Sequence, residues 1–123
     1  MANGQGIIMD FSNSMIGWYH KDNSDKIWGA VLIKTTGTRP GFWANSPEVI
    51  GVWMIFWGRR GRALQTKITG PMTSRDMHRD HFKKKLDKGY KRVARNKLKQ
   101  VYPEFQDDLE KTTMWNMLKA QSS

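Results

Sequence analysis

Apolar residues in this chain come in short dense runs separated by polar or glycine-rich breaks. Lys26-Ile27-Trp28-Gly29-Ala30-Val31-Leu32-Ile33-Lys34 is a compact run of strand formers, and the spacing predicts a β-strand there. Gly51 to Phe56 predicts a second strand. Ala63 to Thr69 predicts a third, with Leu64, Thr66 and Ile68 on one face and Gln65 and Lys67 on the other. A short turn joins the last two strands, which implies an antiparallel sheet. Ile7 to Phe11 predicts a short strand, Ser12-Asn13-Ser14 a turn, and Met15 to His20 fits neither template.

Beyond Gly70-Pro71 the period changes from two to between three and four. Thr73-x-x-Asp76 has capping-box spacing, Phe82 and Leu86 share a helical face, and Gly89 stands where a terminating glycine belongs. The opposite face carries Arg75, Arg79, Lys83 and Lys84, so the helix is expected to lay its Phe/Leu stripe on the sheet. Tyr90 to Val101 reads as helix or irregular chain. Pro103 followed by Glu104, Asp107 and Asp108 marks a further helix, packing through Phe105, Leu109 and Trp115 and weakened at Thr112-Thr113. The expected fold is α+β: a small antiparallel sheet, one helix across it and a C-terminal helix. Met1 to Gly6 reads as a flexible tail. Thr35 to Ile50 is a long connection in which Phe42-Trp43 is expected to fold back on the core as a lid.

Composition narrows the function. The 123 residues suit one domain, and 38% hydrophobic and 11% aromatic content is too apolar for a disordered chain. No stretch approaches the ~20 apolar residues that span a bilayer, and the N-terminus has no secretory or myristoylation pattern. There is no cysteine, hence no disulfide or thiolate site; an intracellular location (cytoplasm, nucleoid or nucleus) is expected. The formal net charge is +10. Fifteen of the 21 Lys and Arg, but three of the 11 acids, lie between Trp57 and Lys99, so this segment carries +12 and the remainder −2. Such asymmetry points to a polyanionic partner.

The segment opens on Phe56-Trp57-Gly58-Arg59-Arg60-Gly61-Arg62. An aromatic ring beside guanidinium groups at a glycine turn suits a sugar–phosphate chain. The plainer readings are a core tryptophan at a strand end and a solvated arginine turn. His78-x-x-His81 shares a helix face but has no second ligand cluster, so no metal is expected. Asp22, Asp25, Asp107 and Asp108 would make a nuclease centre only if distant segments converged. No hydrolase elbow, phosphate-binding loop or complete dinucleotide fingerprint is present, and neither an enzyme nor a cofactor is expected.

Trp57-Gly58-Arg59-x-Gly61, with Gln65 beyond, resembles the signature of the WGR domain, the module found in DNA-dependent poly(ADP-ribose) polymerases and in bacterial and phage proteins. The chain departs from the pattern at Leu64, where the family has Gly. Asn23-Ser24-Asp25-Lys26-Ile27-Trp28 upstream, and Phe82, Lys85, Lys88, Gly89 and Tyr90 downstream, extend the similarity over roughly residues 21–93. The resemblance divides the chain into an N-terminal extension (1–20), a WGR-like domain (21–101) and a helical extension (102–123). It implies binding of nucleic acid, notably DNA ends or breaks, with Trp57 stacked on a terminal sugar and Arg59, Lys67 and Tyr90 around the terminal phosphate. It implies no catalytic domain. With the charge pattern, the candidate binding residues are Trp57, Arg59, Arg60, Arg62, Lys67, Lys85, Lys88 and Tyr90, and the expected partner is nucleic acid, DNA ahead of RNA. The alternative is a phage or mobile-element interaction protein, either a nuclease inhibitor or a subunit of a ribonucleoprotein effector. Its basic surface would then dock on a protein or RNA–protein partner.

Overall fold

A computed structural model describes residues 7–35 and 50–122. The tail at Met1–Gly6 and the expected lid at Phe42–Trp43 lie outside them. The architecture is an α+β domain built on a six-stranded antiparallel sheet. Strands β1 (Ile7–Lys21), β2 (Ser24–Thr35), β3 (Ile50–Arg59), β4 (Gln65–Ile68) and β6 (Lys91–Arg92) run in the spatial order β4-β3-β2-β1-β6. The short β5 (Met72–Thr73) pairs with the start of β3.

Helices cover both faces of the sheet, which explains why β2 and β3 read as continuous apolar runs rather than alternating ones. One face joins Ile16, Ile27, Val31, Met54, Phe56 and Leu64 to Leu98, Tyr102, Phe105, Leu109 and Trp115 from the C-terminal helices. The other face joins Trp28, Ala30, Leu32, Trp53 and Ile55 to Met77 and Phe82. Residues 7–20 and the chain beyond 101, which the resemblance leaves as extensions, therefore supply core: Ile16 from one, Tyr102 to Trp115 from the other.

Helix α1 covers residues 74–87 as Ser74–Met77, a π-helical turn His78–Phe82, and Lys83–Asp87. Thr73 caps it as expected, its hydroxyl accepting from Asp76 N at 3.0 Å. The other half of a capping box is absent, because the Asp76 carboxylate pairs with Arg79 at 2.9 Å. At its end Tyr90 N donates to Lys85 O and Gly89 N to Leu86 O, both at 3.1 Å. With Gly89 at φ +109°, this is a Schellman motif.

Three expectations need revision. Ile7–Lys21 is one strand, not a strand, a turn and an undefined stretch. The residues that read as a turn form a bulge, with the register shifting between Asp10 and Ser14. The Asp10 carboxylate accepts from Ser12 N (3.2 Å) and Asn13 Nδ2 (2.7 Å), and Ser14 Oγ donates to Phe11 O, so side chains replace the missing ladder bonds. The stretch after Tyr90 holds β6 and then helix α2 (Arg95–Val101). The last expected helix is two, α3 (Phe105–Glu110) and α4 (Thr113–Ser122). Thr112 divides them: its hydroxyl donates to Leu109 O at 2.7 Å and accepts from Trp115 N at 3.4 Å, ending one helix and capping the next. No helix among the described residues is long and apolar enough to cross a membrane.

Candidate nucleic-acid interface

The end of β3 and the C-terminus of α1 meet over one edge of the sheet. Cross-strand register places Trp57 opposite Trp28 and Arg59 opposite Lys26. On the far side, Gln65 of β4 lies opposite Trp57, and Lys67 opposite Ile55. Directly opposed residues share a face, so Lys26, Trp57, Arg59 and Lys67 all lie on the α1 side of the sheet. Trp57 packs at the edge of the second core and is half-buried. The core-tryptophan reading thus describes the buried part of Trp57, and the rest of its ring lines the pocket.

Helix α1 supplies the opposite wall. Its closing motif folds Tyr90 back so that Lys85 Nζ lies 5.8 Å from the center of the Tyr90 ring. Tyr90 also tilts against Tyr19, with ring centers 5.4 Å apart. A Cβ at Gly89 would lie 3.1 Å from Tyr19 Cε2, and at φ +109° any side chain there would be strained. The result is an open pocket of about 370 Å³ lined by Lys26, Trp57, Gly58, Arg59, Lys85 and Tyr90. Burial, then the charges of Lys88, Lys26 and Lys67, push the Lys85 pKa below the ordinary lysine range. Burial, with Tyr19 adding to it, pushes that of Tyr90 up, so its hydroxyl remains a donor at neutral pH. An incoming anion would relieve the mutual repulsion of these lysines.

The turn between β3 and β4 separates residues that the sequence grouped. Arg59 is exposed at the pocket, with a guanidinium nitrogen donating to Asn23 O at 3.1 Å. Arg60 turns the other way. Its guanidinium binds both oxygens of Asp25 at 2.8 to 3.0 Å, lies 5.2 Å from the center of the Trp18 ring, and donates to Val101 O. Trp18 Nε1 donates to the same Asp25 at 2.6 Å. Hydrogen bonding from Arg60, against burial and aided by Trp18, lowers the Asp25 pKa. Arg60 therefore ties the turn to the β1–β2 hairpin and to the end of α2. Arg62 is exposed beside a second pocket, of about 330 Å³, with Gly61, Leu64, Asp108, Lys111 and Thr112.

Leu64, the departure from the family signature, is 8% exposed and belongs to the first core. Gly58 has φ +149°, and a Cβ there would approach Ala63 O to 3.4 Å and Leu64 Cδ2 to 3.5 Å. The turn is accordingly pinned by Leu64 from inside and by Arg60 from the side, leaving Trp57 and Arg59 at the pocket.

Of the residues expected at the site, Trp57, Arg59, Lys85 and Tyr90 line one pocket, with Lys67 and Lys88 near enough to shift Lys85. Arg60 and Arg62 stand apart from it. Lys26 completes the pocket and was not among the expected residues. Its signal was present, two positions before Trp28 on the same strand face, but only the register sets it against Arg59. His78 packs edge-on against Phe82, while His81 faces Lys67 and Lys84. Among the described residues no three His, Asp or Glu side chains gather as a metal ion would need.

The chain matches no protein-family model, no curated protein and no solved structure. The similarity to the WGR signature therefore rests on the quoted residues.

Proposed function

We propose that this protein is a non-enzymatic nucleic-acid-binding protein of WGR-like design, and that its pocket takes the end of a strand. One observation carries the reading: two aromatic rings, Trp57 and Tyr90, line a pocket with Lys26, Arg59 and Lys85 and with no acid among its lining residues. Rings supply stacking for a base or sugar, and cations hold phosphate. Stacking is worth ~1–3 kcal/mol per base. The concentration of positive charge between Trp57 and Lys99 supports the same partner.

The test is a binding panel by fluorescence anisotropy. It uses duplexes and single strands, DNA and RNA, with 5′-phosphate and 5′-hydroxyl ends, at several salt concentrations. Affinity should fall with salt, by about 0.9 in the log–log slope per duplex phosphate neutralised and about 0.7 per single-strand phosphate. Arg59→Ala and Lys85→Ala should weaken binding while leaving the fold intact. Undiminished binding by both variants would remove the pocket from the reading. Co-purification of a stoichiometric protein that survives nuclease and high salt would instead favor an acidic protein partner.

A further inference from the structure

Beyond the pocket, positive charge continues along α1. Lys84, Lys85 and Lys88 recur at helical spacing and share one stripe of the helix, which His81 extends to ~10 Å from 81 to 88; burial, then Lys67, lowers the His81 pKa, so at neutral pH it is an uncharged donor. Lys85 is the member that reaches the pocket. Lys67, on the edge strand β4 and the same side of the sheet, stands beside this stripe and acts on both His81 and Lys85. Lys84 also acts on His81. The acids closest in sequence, Asp80 and Asp87, fall on the neighboring stripe; Arg79 holds Asp80 at 2.9 Å, and Asp80 also acts on His81 and Lys84. Lys84 and Lys67 thus carry the positive charge away from the rings, on the side of the sheet that α1 covers.

A duplex presents two phosphate rows across a groove ~6 or ~12 Å wide. Here Lys84, Lys85 and Lys88 make one row on α1, and it ends at the pocket lined by Trp57 and Tyr90. We infer that the ligand is a single-stranded segment several nucleotides long, its terminal unit against Trp57 and Tyr90 and its following phosphates along Lys67, His81 and Lys84. This rests on the nucleic-acid reading of the pocket and adds that a single-stranded tail, not a blunt end, is the preferred form.

The experiment measures anisotropy of labelled 5′-phosphorylated strands of two, four and eight nucleotides, a blunt duplex, and the same duplex with a six-nucleotide tail. Wild-type affinity should rise at least tenfold from two to eight nucleotides, and the tailed duplex should outbind the blunt one. Lys84 is exposed, so Lys84→Glu should fold normally. It should abolish most of the length gain, reduce the single-strand salt slope by about 0.7 or more, and leave dinucleotide affinity within twofold. Arg59→Ala should lower affinity at every length. The inference is overturned if length brings no gain, if blunt and tailed duplexes bind alike, or if Lys84→Glu changes all lengths equally. Failure of every oligonucleotide to bind, or indifference to Arg59→Ala, would overturn the underlying reading instead.

Discussion

Two adjacent arginines should give opposite phenotypes when truncated. Arg60 makes a two-oxygen contact with Asp25, a hydrogen bond to Val101 O and a cation–π contact with Trp18. Charge-assisted hydrogen bonds are worth ~1.5–3 kcal/mol, but the Arg60 and Asp25 side chains are 33% and 23% exposed, which places this pair at the low end. The backbone hydrogen bond adds ~1 kcal/mol and the ring contact ~0.5–1. Allowing for non-additivity, Arg60→Ala should cost about 2 kcal/mol. With a urea m-value of ~1–3 kcal/mol per molar, the unfolding midpoint should fall by about 0.7–2 M. Arg59 is exposed and makes one hydrogen bond to Asn23 O, so Arg59→Ala should change stability by no more than ~0.5 kcal/mol.

Urea titrations followed by tryptophan fluorescence, paired with anisotropy at temperatures where both variants are folded, separate the two effects. Arg60→Ala should lose midpoint and keep affinity. Arg59→Ala should keep midpoint and lose affinity. Equal losses of affinity, with no midpoint shift for Arg60→Ala, would refute the assignment of Arg60 to the scaffold and return it to the binding surface.

Leu64→Ala should destabilise by about 2–3 kcal/mol, read as a lower urea midpoint, since Leu64 is nearly buried in the first core; a loss under ~0.5 would mean that the turn is not anchored there. Gly29→Ala should cost at least ~1–3 kcal/mol in the same assay, because the new Cβ would lie 2.3 Å from Phe56 Cζ and 2.9 Å from Met15 O. Burial of Asp10 works against its charge, but hydrogen bonds from Ser12, Asn13 and Lys34 outweigh it and lower its pKa to about 2. A depressed carboxylate stabilises above its unfolded value of 3.8 and loses that contribution as pH falls toward 2. At ~1.36 kcal/mol per pKa unit the ceiling is about 2 kcal/mol, so Asp10→Asn should be less stable than wild type at pH 7 and converge with it near pH 2. Lys85, with its lowered pKa, should lose its charge before an ordinary lysine, so affinity should decline earlier on raising pH in wild type than in Lys85→Arg.

The sheet, helix α1 and its stop at Gly89 were legible because each has a local cause. Strand formers make dense runs, Thr73 caps, and Gly89 adopts φ +109°. The bulge in β1 was not legible, because Asp10, Ser12 and Asn13 serve a turn and a bulge equally well until the partner strand is known. The break at Thr112 was half-visible: the Thr pair weakens a helix, but only geometry turns Thr112 into a cap. At the site, residue types were readable and register was not. Lys26 reaches Arg59 by strand pairing 33 positions away, which no local pattern encodes. Arg60 was misgrouped for the complementary reason: adjacent residues at a strand end point to opposite sides, so three arginines in four positions do not make one cluster.

That opposition explains how a turn can be both rigid and open for binding. A turn carrying three arginines must hold like charges together, which disfavors the folded state unless something else fixes the backbone. Here the fixing groups alternate with the presenting ones. Leu64 enters the core under Gly58, and Arg60 locks onto Asp25, with Glu104 adding to the charge that balances it. Trp57 and Arg59 line the pocket without themselves bearing the load of the turn. A glycine at 64 would leave the turn to backbone conformation alone. The leucine found there replaces conformational permission with burial, and Trp57 and Arg59 stay at the pocket.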